Sequence, residues 1–380
     1  MANSATHYDV IVIGVGGMGS ATVYELAKRG KKVLGLEQFD IPHTMGSSHG
    51  ITRIIRMAYF EDPSYIPLLR RAYELWDALE REAGKTLFIK TGGLDAGPAD
   101  SRVFTGSLRS CQTYNLEHEV LTGAEVNRRF PGYHLAPDMQ AVFQPDAGCL
   151  LPEQCIMAFV WAAQARGAEV HGREPVLEWG VKGDGVRVIT GRGTYTADKL
   201  VISAGAWVGK LIPQLAKLAI PERQVLIWTQ PRRPEWFTPK RFPVFILEDD
   251  EGIYYGFPEL GIPGFKFGLY NHLKEVIDPD TVDRDRMTEQ DETALRRAAE
   301  RYFPRGTGPT LSLKMCMFTN TPDEHFILDL HPDYPQVAIA AGFSGHGFKF
   351  CSVVGEIMAD LALAGGTRHD IGLLRLGRLL

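Results

Sequence analysis

Four short stretches of the 380-residue chain gather side chains able to do chemistry. In SLKMCMFTNTPDEHFILDL a single cysteine, Cys316, stands between two methionines, and Thr319, Asn320, Asp323, Glu324 and His325 follow within nine residues. No other Cys or His lies at metal-ligand spacing from it, so no metal site is expected there. A thiol in polar, partly cationic company can supply a thiolate nucleophile, but these neighbours name no target for it. In SSHGITRIIR, Arg53 and Arg56 lie three apart around Ile54 and Ile55. They read either as a solvated surface pair or as two cations leaving a packed segment on one side, an anion site for a small ligand. In YYGFPELGIPGFKFG, Lys266 alternates with Phe265 and Phe267, the spacing of one face of a strand. In GFSGHGFKF, glycines precede a helix beside His346 and Lys349. That stretch is either a plain loop–helix junction or an anion site built from free N–H groups.

These clusters need a frame, and the first forty residues supply its clearest part. Val10 to Ile13 form a short, continuously apolar run, as a parallel strand buried on both faces requires. The glycines of a G-x-G-x-x-G turn follow at Gly14, Gly16 and Gly19, then a helix stopped by Gly30 and a second strand ending in Glu37. Gly14 permits the tight turn, Gly16 lets a pyrophosphate approach the backbone, and Gly19 brings helix and strand together. Glu37, 23 residues after Gly14, would accept from a ribose hydroxyl. The motif in this context indicates a bound dinucleotide without distinguishing NAD from FAD.

Further along, YIPLLRRAYELWDALEREAG has helical periodicity, LPEQCIMAFVWAAQARGAEV reads as another helix, and KLVISAGAW as a strand running into Ala204-Gly205-Ala206. Between 217 and 285 prolines, aromatics and short alternating runs dominate, and Glu248 to Gly252 carry a hairpin-turn signal. This is the texture of an antiparallel sheet inserted into the nucleotide-binding domain. Thr288 is the expected N-cap of a helix that ends before Pro304, and a last helix follows GFSGHGFKF.

Hydrophobic residues make up 44% of the chain and charged residues 23%, the balance of an ordinary globular protein. A formal net charge of −5 argues against nucleic-acid binding, which needs a basic face. Five cysteines (Cys111, Cys149, Cys155, Cys316 and Cys351) without CxxC spacing fit reduced thiols in the cytoplasm better than disulfides. No secretory signal, peroxisomal address or run of membrane-spanning length stands out, so no membrane partner is expected.

Taken together, SSHGITRIIRMAY, YYGFP, GFKFG, CMFTNTPDEHFILDLHP and AAGFSGHGFKF resemble, in order and spacing, the monomeric sarcosine oxidases and N-methyltryptophan oxidases. The resemblance covers nearly the whole chain. It implies an α/β fold, α+β in its second part: a Rossmann-like FAD-binding domain (1–85, 140–215 and 318–380) with an inserted antiparallel-sheet substrate domain (86–139 and 216–317). It implies oxidation of a secondary α-amino acid to an imine, with O2 reduced to H2O2. The alternative is a dehydrogenase of a secondary or cyclic amino acid that passes electrons to a carrier. It also implies FAD attached through its 8α-methyl group to Cys316, and FAD contacts from Gly14, Gly16, Gly19, Glu37, Ser47, Thr52, Gly345, Gly347 and Lys349. Arg56 and Lys349 map to the cations that hold the substrate carboxylate. His49 and Arg53 map beside the flavin ring, Tyr255 to an active-site tyrosine, and Lys266 to the lysine that activates O2. The family's active-site histidine follows that lysine by four residues. Here Tyr270 holds that position and His272 comes two later, so either fills it. The partners expected are a small secondary amino acid and O2, with the chain acting as a monomer.

Overall fold

The apolar run of the first strand puts it where both faces can be covered. In the computed structural model, which describes residues 6–380, Thr6–Ile13 lies between two parallel partners, Gly193–Ile202 and Val33–Leu36. Around this centre an eight-stranded sheet forms. Glu169–His171 extends it beyond Val33–Leu36, and Val176–Lys182 and Gly185–Thr190 extend it antiparallel beyond Gly193–Ile202. Val337–Ala341 adds parallel to the end of Gly193–Ile202, and Ile327–Leu330 pairs with it. Helices Gly17–Lys28, Ile66–Ala83, Pro152–Gln164 and Cys351–Ala364 share one hydrophobic core with this sheet. In Ile66–Ala83 the buried residues Leu68, Leu69, Ala72, Leu75, Trp76 and Leu79 fall three or four apart, one stripe of an amphipathic helix.

A second eight-stranded sheet is mostly antiparallel. Its order is Thr310–Asn320, Ile220–Thr229, Phe265–Leu269, Gly252–Phe257, Val244–Asp249, Gly93–Gly97, Gln140–Gln144 and Glu119–Thr122. The hairpin read at Glu248–Gly252 joins Val244–Asp249 to Gly252–Phe257. One face carries a core rich in phenylalanine, including Phe237, Phe242, Phe245, Phe265, Phe267 and Phe303, closed by the helix Glu289–Tyr302. Thr288 caps that helix as expected, in a reciprocal capping box with Asp291. A small third sheet, Arg53–Ile55, Gly148–Leu150 and Phe88–Lys90, holds the arginine-bearing stretch.

Two expected boundaries differ from the strand pairing. Gln140–Gln144, assigned by sequence to the dinucleotide domain, pairs with Gly93–Gly97 and Glu119–Thr122 in the second sheet, where Ala141 and Phe143 join the aromatic core. Thr310–Asn320 runs through the boundary drawn at 317/318, pairing along its length with Ile220–Thr229. Among the described residues no helix is long and apolar enough to cross a membrane.

Candidate active site

At the turn after the first strand, Gly14 has φ of 87°, and a Cβ there would lie 2.5 Å from the Ser203 carbonyl oxygen. A Cβ at Gly19 would lie 1.7 Å from the Gly14 oxygen, so strand and helix meet in a way only glycine allows. Gly16 differs: the nearest atom to its Cβ would be Ser48 Oγ at 4.0 Å, leaving its backbone open to a cleft of about 330 Å³. The helix Gly17–Lys28 starts at this cleft; its first N–H, at Gly17, donates to Ser48 Oγ at 3.3 Å, and its N-terminal end faces the cleft, where the helix dipole favours a phosphate. Glu37 faces the same cleft, its carboxylate accepting from Val15 N at 2.9 Å and Phe39 N at 3.0 Å. Ser47, Gly345, Gly347 and the Ala204-Gly205-Ala206 turn complete the walls that the sequence pointed to. The open Gly16 backbone, the helix N-terminus at the cleft and the acid at the second strand's tip fit a dinucleotide.

A second, smaller cavity of about 70 Å³ shares Arg53, Phe318, Gly345 and Phe348 with the cleft, so the two adjoin across those residues. Tyr255, Tyr270, Cys316, Arg56 and Lys349, which come from distant parts of the chain, all face it. Cys316 lies on Thr310–Asn320 with its Sγ 3.6 Å from Arg53 Nη2. Arg53 is oriented by two carbonyl acceptors, Ser47 at 2.7 Å and Thr52 at 2.9 Å.

A sequence model of the family FAD dependent oxidoreductase matches residues 9–361. The chain belongs to the FAD dependent oxidoreductase family. It is 45% identical over 378 residues to monomeric sarcosine oxidase of Bacillus sp. (strain NS-129), covering 98% of this chain and 97% of that one. It is 35% identical over 372 residues to N-methyl-L-tryptophan oxidase of Salmonella agona (strain SL483), with 98% and 99% covered. Among solved structures, NikD, an amino acid oxidase essential for nikkomycin biosynthesis, superposes with a TM-score of 0.84 at 26% identity, with 98% of both chains covered. The fold is thus the Rossmann-like FAD-binding fold of this family, FAD is the dinucleotide it uses, and the chain is an amine oxidase.

Among the cations of this FAD dependent oxidoreductase that face the smaller cavity, Arg56 is the one paired with carboxylates. Its Nη2 donates to both Glu61 carboxylate oxygens at 2.9 Å, Nη1 lies 3.3 Å from Asp95 Oδ2, and Nη1 also donates to the Ala58 carbonyl. Burial and the Arg56 charge oppose each other at Asp95, and burial prevails, pushing it up to about 6. Burial also disfavours the charged Glu61, but Arg56, His346 and Lys349 outweigh it and hold Glu61 below the ordinary carboxylate range. Lys349 donates to the His346 carbonyl at 2.7 Å, and burial followed by the Arg56 charge pushes it down to about 7. The Tyr59 hydroxyl donates to His346 Nδ1, which leaves Nε2–H to donate to the Glu324 carbonyl at 2.9 Å.

Lys266, Thr52 and His49, all expected at the site, sit away from the cavity walls. Lys266 lies behind the Gly50–Thr52 backbone, its Nζ donating to Gly50 O at 2.7 Å and to Thr52 O and Oγ1 at 3.0 Å, with the Phe257 ring 4.3 Å away. Burial, then the Arg53 charge, push it well below an ordinary lysine. Thr52 is therefore engaged by Lys266 and is not among the residues facing the cleft. His49 is buried, its Nε2 without a partner among the described residues, and burial with the Arg53 charge pushes it down to about 3, so it is neutral.

Tyr270 and His272 point to opposite sides of their turn. Tyr270 faces the cavity, donates to Ser344 O at 2.6 Å and packs on Phe318 at 5.5 Å. His272, expected as a candidate catalytic residue, is instead wholly buried away from it, with Nε2 2.8 Å from Asp291 Oδ1. Sequence reasoning missed Glu61, Asp95 and Phe60, whose ring faces the cavity with the Arg56 guanidinium 5.0 Å from its centre. Glu61 lies five residues after Arg56, a usable signal, whereas Asp95 comes from a different sheet.

Proposed function

We propose that the chain is an FAD-dependent oxidase of secondary α-amino acids, sarcosine or a related N-methyl amino acid. One observation carries the reading. Two buried cations, Arg56 and Lys349, stand beside an aromatic-walled cavity that adjoins the dinucleotide cleft. A carboxylate held by a bidentate guanidinium and an ammonium is fixed in direction as well as position. The incoming carboxylate competes with Glu61 for the Arg56 fork, so Glu61 yields at least one of its two hydrogen bonds when substrate binds. The rings of Tyr255, Phe318 and Tyr270 surround the amine with little polarity, which favours its neutral, lone-pair-bearing form. FAD, when bound, supplies the two-electron acceptor for oxidation of the C–N bond and returns the electrons to O2 as H2O2. The imine product hydrolyses to an aldehyde and a primary amino acid.

Cys316 is the residue that tethers FAD, as a thioether at the flavin 8α carbon. Its support is its place: Cys316 faces the cavity that adjoins the dinucleotide cleft, with its Sγ 3.6 Å from Arg53 Nη2. Lys266 favours the negative charge that develops on O2 at its first reduction. The protein works as a monomer in the cytoplasm, in keeping with five cysteines that are all free and buried.

The test is a peroxide assay on purified enzyme with sarcosine, N-methyl-L-tryptophan, pipecolate and proline, together with anaerobic reduction of its flavin. Peroxide formed in step with aldehyde from at least one N-methyl amino acid is the expected result. Flavin reduced by these substrates without peroxide in air would transfer the reading to a dehydrogenase. No reduction by any of them would end it.

A further inference from the structure

The turn after Phe265–Leu269 is strained. Asn271, Leu273 and Lys274 have φ of 55°, 53° and 49°, the left-handed region, and none of them is glycine. Such a backbone persists only where its surroundings over-determine it. The fourth residue, His272, anchors its buried side. Its ring is wholly buried with Nε2 2.8 Å from Asp291 Oδ1, and its backbone N–H donates to Gln224 Oε1 at 3.0 Å. Asp291 is itself immobilised, because Arg223 grips both its oxygens at 2.7 and 2.9 Å and Thr288 N donates to it at 2.8 Å.

On the opposite side the same turn shapes the cavity. Tyr270, immediately before it, reaches Ser344 O at 2.6 Å and lies on Phe318. Asn271 donates to Glu324 Oε1 at 3.1 Å and accepts from Asn320 Nδ2 at 3.1 Å. The turn is thus fixed between a buried ion cluster behind the second sheet and the wall that faces Arg56 and Lys349.

We propose that His272 is a positioning residue: through Asp291 and Arg223 it sets the turn that holds the Tyr270 ring as a wall of the substrate cavity, and that wall limits the bulk of the amino acid accepted. The proposal rests on the reading that this cavity receives the substrate. His272 touches no reacting atom; its effect is on which substrate fits.

The experiment compares kcat/KM for sarcosine with kcat/KM for N-methyl-L-tryptophan in holoenzymes, normalised to bound flavin. Tyr270→Ala removes the wall directly and lowers the sarcosine-to-N-methyltryptophan ratio by at least about tenfold, mainly through KM for the larger substrate. His272→Leu, which leaves Asp291 on Arg223 and Thr288, lowers the ratio in the same direction. His272→Gln, whose amide reaches Asp291, keeps the ratio near that of the wild type. A loss of general stability would reduce flavin content or Tm without moving the ratio. If Tyr270→Ala shifts the ratio and folded His272→Leu does not, the positioning role is overturned and the cavity reading stands. If neither shifts it, both are overturned. Should His272→Leu fail to accumulate, Asn271→Gly loosens the same turn without touching the buried cluster and must lower the ratio; an unchanged ratio there overturns the proposal.

Discussion

Alanine at Gly268 introduces a single methyl group behind Tyr255, a wall of the smaller cavity. Gly268 pairs across strands with Tyr255, and its backbone is not in the left-handed region, so alanine is conformationally acceptable there. The space is not: a Cβ would stand 2.5 Å from Tyr255 Cζ, 2.7 Å from its hydroxyl oxygen and 2.9 Å from Cε1. Carbon atoms rest at about 3.5–4.0 Å, so the ring must retreat by about 1 Å. Tyr255 packs with Leu226, Trp228 and Cys316 and faces the 70 Å³ cavity, so that cavity is where it gives way. A displacement of this size at a reacting centre costs about 10²-fold in rate, or about 2.7 kcal/mol. Overpacking costs fold stability about 1–3 kcal/mol, a fall of several degrees in Tm. Gly268→Ala is therefore expected to fold and retain flavin while kcat/KM per flavin, measured by peroxide release, drops about 100-fold. In a Tyr255→Ala background the same substitution should cost under about 0.5 kcal/mol, because no ring remains to be displaced. Wild-type kcat/KM in Gly268→Ala, or an equal loss in both backgrounds, would refute the reasoning.

Three further outcomes are expected. Acid-precipitated wild-type protein keeps its yellow flavin in the pellet, whereas Cys316→Ser releases it to the supernatant; free FAD from the wild type would count against the tether. Lys266→Met slows reoxidation of reduced flavin by O2 about 10²-fold or more, while anaerobic reduction by substrate is largely retained; unchanged O2 reactivity removes that role. Because burial and the Arg56 charge push Lys349 down to about 7, it is a cation below that pH and neutral above it. Affinity for a carboxylate lacking an amine therefore falls as pH rises through about 7, by at most about tenfold per unit, and the response flattens in Lys349→Met. Asp95, pushed up to about 6, acts in the same direction, since its protonation below that pH removes a competitor for Arg56. A flat wild-type titration would sink this assignment.

What the sequence disclosed and what it withheld follow from the range of the interactions involved. The glycine turn, its helix and the acid at Glu37 lie within one βαβ unit, where each residue's task depends on neighbours close in the chain, and all appear where expected. The Thr288 cap and the Glu248–Gly252 hairpin are equally local. Gln140–Gln144 is not, because a five-residue strand takes its sheet from distant partners, and its apolar residues suit either core. The charge balance at Arg56 was hidden for the same reason, since Asp95 arrives from a sheet that the arginine's own stretch does not enter. His272 failed differently. Counting residues past Lys266 measures distance along the chain but not direction, and three left-handed non-glycine residues turn the imidazole away from the cavity. Two signals were nevertheless present: asparagine at 271, the residue after glycine most tolerant of that backbone, and a capping box that places the Asp291 carboxylate at a helix start. A buried histidine needs an acceptor, and the carboxylate that caps this helix is the one within its reach, which ties the turn to the helix and, through Tyr270, to the cavity.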